Sequence, residues 1–208
     1  MMTRRRYSGP GLILATHNPN KLRELRSWLP DWLTDISSSG EWGLPVPDET
    51  GQSCAQNAAI KARATAMATG RVALADDAGF FVAALGGQPG HLMADWARRE
   101  DGSTDYQQSF DRIQAGIGDS SDRSARFVCC LALGWPDGHV ELFEGYKDGV
   151  VLPQPCGDNG FAYDTIFRPL DDTRSYAQMS LEEKNQISHR GHAFSLLLAE
   201  GLEAPKTL

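Results

Sequence analysis

The sequence predicts an α/β protein with a mixed sheet arranged in two lobes. In the first part of the chain, short apolar runs alternate with segments of helical period, the order expected of parallel βαβ units. In the middle, two strand-like runs, 124–135 and 139–151, flank Pro136-Asp137-Gly138, a hairpin signal that adds antiparallel pairing. The chain has 208 residues, short enough for one core, since single cores stop growing at roughly 250–300 residues.

Taken in order, Gly11 to Ala15 is an apolar run that meets the polar turn Thr16-His17-Asn18-Pro19-Asn20. Leu22, Leu25, Trp28 and Leu29 then recur at helical spacing from Lys21, and Pro30 ends the helix because it supplies no N–H donor. A second, Ala-rich helix is expected from Cys54 to Thr69, where Gly70 can adopt the left-handed conformation that closes helices. It feeds Val72 to Ala75, a strand expected to stop at Asp76-Asp77. Gly86-Gly87-Gln88-Pro89-Gly90 is a turn, and a helix is expected from Thr104 to Ile117. After the hairpin, the capping box Ser180-x-x-Glu183 opens a short helix. A last helix, from about Gly191 to Glu200, carries the apolar run Phe194 to Ala199. The first ten residues show no pattern and are expected to be disordered, leaving 11–204 as a single two-lobed domain.

Charge and composition exclude several partners. With 20 Lys and Arg against 27 Asp and Glu, the formal net charge is -7, which opposes long-range attraction to nucleic acid or to an anionic membrane. A hydrophobic fraction of 41% is too high for a disordered chain. No stretch approaches the ~20 apolar residues needed to span a bilayer. Arg4-Arg5-Arg6 resembles the start of a signal peptide, but the apolar run behind it, Leu12 to Ala15, is too short for an h-region, so a cytoplasmic protein is expected. Cys129 and Cys130 are adjacent on an expected strand and point to opposite faces, which suits buried thiols better than disulfides. Without a CxxC, no zinc or iron-sulfur site is expected.

Four segments carry groups capable of chemistry. The turn Thr16 to Lys21 places a hydroxyl, amides and an ammonium where a strand yields to a helix, a setting for an anion or simply a capped helix start. Asp48-Glu49 and Asp76-Asp77 are hard oxygen ligands suited to Mg²⁺, and carboxylates at a strand end can activate water; Asp-Asp-x-Gly is equally a plain turn. Lys184, His189 and Arg190 gather cationic donors around Ser188, which can cap the last helix. Gly157 to Asp164 leads from a flexible turn into Phe161, Tyr163 and Asp164, groups that can stack on a planar base or pack in a core.

Six strings, in order, resemble one family: Leu14 to Lys21; Glu49-Thr50-Gly51 with Asn57-Ala58 and Lys61-Ala62; Ala73 to Gly79; Ala84 to Gly90; Gly160 to Phe167; and Glu182 to Arg190. Together they are similar to the non-standard purine nucleoside triphosphate pyrophosphatases, the dITP/XTP or inosine triphosphate pyrophosphatases of the Ham1-like or RdgB-like family, from about Gly11 to Glu200. The resemblance implies an elongated mixed sheet flanked by helices, with a nucleotide cleft between two lobes, and a homodimer. It implies Mg²⁺-dependent hydrolysis of ITP, dITP and XTP to the monophosphate and pyrophosphate, which keeps deaminated purines out of DNA and RNA. By the same resemblance, Thr16, His17, Asn18, Pro19, Asn20 and Lys21 bind the nucleotide, with Thr16, the Asn and Lys21 at phosphates, and Lys61 is a second phosphate contact. Glu49 and Asp77 hold the metal, and Asp77 also accepts a proton from the attacking water. Phe161, Ala162, Tyr163 and Asp164 enclose the base, and Lys184, His189 and Arg190 surround it.

The chain departs from the family pattern at four places. Ala78, at a substrate-binding position, stands where the family usually has Ser, and Ala162 where it usually has Gly. His91 to Trp96 replaces a Tyr-Ser-Ala-Arg-aromatic segment, and Gln56 replaces a frequent Glu. These changes bear on base specificity and rate more than on fold. The alternative is a weakly active or non-catalytic nucleotide-binding member of the same family. A Maf-like pyrophosphatase fits less well, because the Ser188-His189-Arg190 tail matches the inosine triphosphate family.

Overall fold

The computed structural model describes residues 4–205. Its strands are β1 (Gly11–Leu14), β2 (Asp35–Ser38), β3 (Ala73–Val82), β4 (Pro89–Gly90), β5 (Ser124–Gly134), β6 (Val140–Val151) and β7 (Phe167–Pro169). Its α-helices are α1 (Pro19–Trp28), α2 (Cys54–Thr69), α3 (Met93–Trp96), α4 (Tyr106–Ile117), α5 (Leu181–Ile187) and α6 (His189–Leu196). The strands form one mixed seven-stranded sheet in the order β2-β1-β3-β5-β6-β7, with β4 paired to β3 beside that path. β1 is parallel to β2 and β3, whereas β4 is antiparallel to β3 and β7 to β6.

That strand order sets where chemistry can sit. The chain leaves β1 in one direction to form β2, then returns past β1 to form β3. Right-handed crossovers, the rule for parallel strands, therefore put α1 and α2 on opposite faces of the sheet. The space beyond the carboxyl end of β1, beside β3, is the switch point where α/β sheets take ligands. β1 is completely buried, as a strand covered on both faces should be.

By contact density the described residues divide into two compact units, the first within Met1–Asp77, Cys130–Gly145 and Ala193–Leu208, the second Ala78–Cys129 and Tyr146–His192. In the first unit, α2 follows the predicted bounds. Ser53 caps it by accepting from the Gln56 N–H, and Gly70 closes it at φ 67°. Its small side chains pack on the sheet, with Ala66 in one apolar cluster with Ile13 and Ala73. Trp28 meets Phe194 edge-on at 4.7 Å. The disorder expected of the first ten residues does not hold for 4–10. The Tyr7 N–H donates to the Gly201 carbonyl at 2.8 Å, the Glu203 N–H returns the bond at 2.9 Å, and Arg4 and Arg5 lie over the Phe143 and Trp135 rings. Residues 1–3 of that segment lie outside the described residues.

The second unit is built on an aromatic core. Phe80, Phe127, Tyr163, Phe167 and Tyr176 pack with Ile113, Ile117 and Ile166, and Phe80 touches Phe127, Tyr163 and Phe167 at centroid distances of 4.6, 5.1 and 5.9 Å. Asp105 caps α4 by accepting from Gln107 and Gln108, so this helix begins two residues after the expected Thr104. Ser180 and Glu183 form the predicted capping box of α5. Ser188 caps α6 by accepting from the Gly191 N–H at 3.1 Å. This last helix starts at His189 and passes into a π-helical turn, Leu197–Gly201.

β3 is longer than its sequence pattern predicts. The strand expected to stop at Asp76-Asp77 runs on to Val82, so both carboxylates lie within a buried strand and Asp-Asp-x-Gly is not a turn. Cys129 and Cys130 are buried free thiols, Cys54 is buried and Cys156 exposed. Among the described residues no helix is long and apolar enough to cross a membrane.

Candidate active site

In the first unit the groups gather beyond the end of β1, beside Asp76 and Asp77 within β3. The Thr16 hydroxyl accepts from the Asn18 N–H at 3.1 Å, and the Asn18 side chain accepts from the Lys21 N–H at 3.4 Å. Asn18 thus caps α1, and Pro19 takes the first helical position, where a missing N–H is harmless. His17 is exposed and its Nε2 lies 2.8 Å from the Leu44 carbonyl. The Asn20 backbone belongs to α1, while its side chain lies outside the described residues.

Successive residues of a strand face opposite ways, and the two aspartates of β3 do so. Asp76 meets Lys21 of α1, with Nζ 2.9 and 3.2 Å from its two oxygens. Asp77 meets Lys61 of α2, whose Nζ is 3.0 Å from Asp77 Oδ1 and 3.0 Å from Glu49 Oε1. The loop carrying Glu49 is tied to α2 by Asn57, which accepts from the Gly51 N–H at 2.8 Å. Burial alone would lower the basicity of Lys61, but Asp77, Asp76 and Glu49 outweigh it and hold the ammonium above its ordinary value. Asp77 is raised above the usual carboxylate range, chiefly by burial, with Lys61 opposing and Glu49 and Asp76 adding to the rise. Thr16, His17, Asn18, Lys21, Glu49, Lys61 and Asp76 line one cavity of ≈ 250 Å³ with Ser39 and Thr65.

Asp77 Oδ2 is buried and has no hydrogen-bond partner. An uncompensated carboxylate oxygen in a buried strand is costly. With Glu49 across Lys61, it offers hard oxygen donors of the kind that would suit a cation using one or two carboxylates. Among the described residues no group of three or more His, Cys, Asp or Glu side chains is placed for a metal.

In the second unit, Ala78, Phe161, Ala162, Tyr163, Asp164, Lys184, His189 and Arg190 all line one small cavity, with Met93 and Phe127. Lys184 and Asp164 form a buried ion pair at 2.6 Å, their side chains 6% and 5% exposed. The other work of Asp164 is local: its Oδ2 accepts from the Phe161 N–H at 2.9 Å. His189 stacks on Phe127 at 4.6 Å and 8°. Arg190 is buried. Gly191 follows, and a Cβ there would lie 1.9 Å from the Asn185 carbonyl oxygen, so only glycine lets α6 start this close to α5. Tyr163 is a core residue, 2% exposed, whose hydroxyl donates to the Met93 carbonyl at 2.7 Å.

The sequence profile of the Ham1 family matches residues 12–200. The chain belongs to the Ham1 family. It is 42% identical over 205 residues to the dITP/XTP pyrophosphatase of Rhizobium meliloti (strain 1021), covering 92% of this chain and 96% of that one. The identity to the dITP/XTP pyrophosphatase of Zymomonas mobilis is 44% over 199 residues, covering 94% of each. A HAM1 protein from Coxiella burnetii has a similar structure, with TM-score 0.84 and 36% identity, covering 91% of this chain and 96% of that one.

Two departures from the Ham1 pattern gain physical meaning. Gln56 accepts from the Gln52 N–H at 2.7 Å, a capping bond that an amide oxygen makes as a carboxylate does. Ala162 is the one described non-glycine residue with positive φ, at 57°, and it follows Gly160 at 76° with Phe161 between. The left-handed region costs an alanine about 1–2 kcal/mol. Ala162→Gly is therefore expected to stabilise the fold by about 1 kcal/mol after its larger unfolded-state entropy is counted, a rise of roughly 2–4 °C in melting midpoint. An unchanged or lower midpoint in a thermal melt refutes the strain. Among neighbours of the site that sequence reading missed, Thr65 had a signal, since it lies one helical turn after Lys61. Met93 and Phe127 had none, because their place in the cavity wall depends on tertiary packing.

Proposed function

We propose that this chain hydrolyses non-standard purine nucleoside triphosphates, dITP, XTP and ITP, to the monophosphate and pyrophosphate with Mg²⁺, cleansing the nucleotide pool. The carrying observation is Asp77, a buried carboxylate with one unsatisfied oxygen at the sheet's switch point, shared through Lys61 with Glu49. In this reading Glu49 and Asp77 hold the metal, which when bound neutralises phosphate charge and favours the leaving pyrophosphate. Asp77 orients the attacking water and takes its proton. Thr16, Asn18 and the amides opening α1 receive phosphate oxygens at a helix N-terminus. Lys21 and Lys61, held by carboxylates in the structure, turn to the triphosphate as its charge arrives.

In the second unit, Lys184, His189 and Arg190 supply the donors for the base. Hypoxanthine and xanthine present an oxygen acceptor where adenine presents an amino donor. Buried donors facing an amino group stay unpaired, and such mismatches give large discrimination, about 10⁴-fold in favourable cases. The cavity there is only ≈ 30 Å³, room for water rather than a purine. Phe161, 53% exposed and set between Gly160 and Ala162, is the wall that has to move.

The test is to supply dITP, XTP, ITP, ATP and GTP with Mg²⁺ and measure pyrophosphate. Release from dITP, XTP or ITP well above ATP is the expected result. No release from any of the five sinks the catalytic reading, Mg²⁺-dependent binding without release favours a binding protein, and preference for ATP refutes the role given to His189 and Arg190. The family resemblance also supports a homodimer acting in the cytoplasm, which light scattering and fractionation would check.

A further inference from the structure

We propose that Ser109 is a positioning residue for the base-side cavity, acting through Tyr163 and the carbonyl of Met93. The inference rests on the pyrophosphatase reading and deepens it. Ser109 lies on α4 and is fully buried; its hydroxyl is hydrogen-bonded to the Tyr163 hydroxyl. Because Tyr163 donates its own proton to Met93 O at 2.7 Å, Ser109 is the donor to Tyr163. One serine thus joins α4, the 162–166 turn and the start of α3.

Two of the three members of that chain are cavity walls. Met93 and Tyr163 line the same space as Lys184, His189 and Arg190. Stacking on Phe80, at 5.1 Å and 24°, fixes the plane of the Tyr163 ring, but stacked rings slide easily. The two hydrogen bonds remove that freedom by holding the ring's far end. Burial pushes the Tyr163 phenol up to about 12, so it remains a donor at any pH near neutrality. The arrangement also separates a moving part from a fixed one. Phe161 and Ala162 stand in the left-handed turn that has to open, and Tyr163 is the next residue, pinned to α4. A wall that anchors the hinge governs how well the base is held rather than how fast the phosphate bond breaks.

The experiment compares wild type with Ser109→Ala, Ser109→Thr, Tyr163→Phe and the double variant S109A/Y163F, measuring KM and kcat for dITP and the dITP-to-dATP preference. Ser109→Ala is expected to raise KM about 5-fold, the worth of one buried hydrogen bond, with kcat nearly unchanged and the preference reduced. Ser109→Thr, which keeps the hydroxyl, restores KM. The double variant is no worse than Tyr163→Phe, because both act on one chain of hydrogen bonds. An unchanged KM in Ser109→Ala, a loss confined to kcat, or additive effects in the double variant overturns the assignment while leaving the pyrophosphatase reading intact. Wild-type silence on dITP overturns both.

Discussion

Asp77→Asn is expected to reduce pyrophosphate release by roughly 10³-fold, the range for loss of a general base at a metal-assisted site, while the fold survives. The substitution is nearly isosteric, and Asn can still accept from Lys61 through Oδ1, so the α2 contact at 3.0 Å keeps a partner. What disappears is the charge and the basic Oδ2 that has no hydrogen-bond partner in the folded chain. Glu49→Gln should do less, about 10-fold, because its carboxylate is 44% exposed and water can replace part of its role. The order of the two effects is informative: a site in which Glu49 mattered more than Asp77 would not be centred on the buried strand. Turnover of Asp77→Asn within about tenfold of wild type, with an unchanged melting midpoint, removes Asp77 from the chemistry altogether.

How much of this was legible in the sequence depends on the kind of residue. The α2 helix was read to its ends because an alanine-rich interior and Gly70 are local signals that agree, and the observed Ser53 cap completes them. Asp48-Glu49, Asp76-Asp77 and the Lys184-to-Arg190 cations stood out as clustered ionisable groups, whereas Lys61 entered only through the family resemblance. The extent of β3 was misread, since propensity argues against two aspartates inside a strand. Lys21 and Lys61 override that preference, and their approach from α1 and α2 is a tertiary fact. The short strands β2, β4 and β7, of 4, 2 and 3 residues, carry too little pattern to detect and exist because longer neighbours offer them edges. The first residues looked featureless for a similar reason: Tyr7 pairs with Leu202, a partner almost the whole chain away. The role of Ser109 was invisible because a helical serine becomes notable only when its partner is known to be a buried tyrosine.

The Lys184–Asp164 pair gives the second large effect, and it falls on stability as well as activity. Lys184→Met leaves Asp164 buried at 4% exposure, with the Phe161 N–H but no cation. Removing one partner of a buried ion pair typically costs about 3–5 kcal/mol, because the survivor's desolvation is no longer offset. At this chain length that corresponds to a fall of roughly 10 °C in melting midpoint. The double variant Lys184→Met with Asp164→Asn separates the pair's two functions. Asn carries no charge to strand, yet its oxygen can still accept from Phe161 and hold the turn before Tyr163. Most of the lost stability should therefore return. Activity on dITP should not, since the proposed donor at the base is still missing. If the double variant melts as low as Lys184→Met alone, the unpaired charge is not what destabilises it. If it regains full activity with its stability, Lys184 serves only to fold this unit, and base recognition falls to His189 and Arg190.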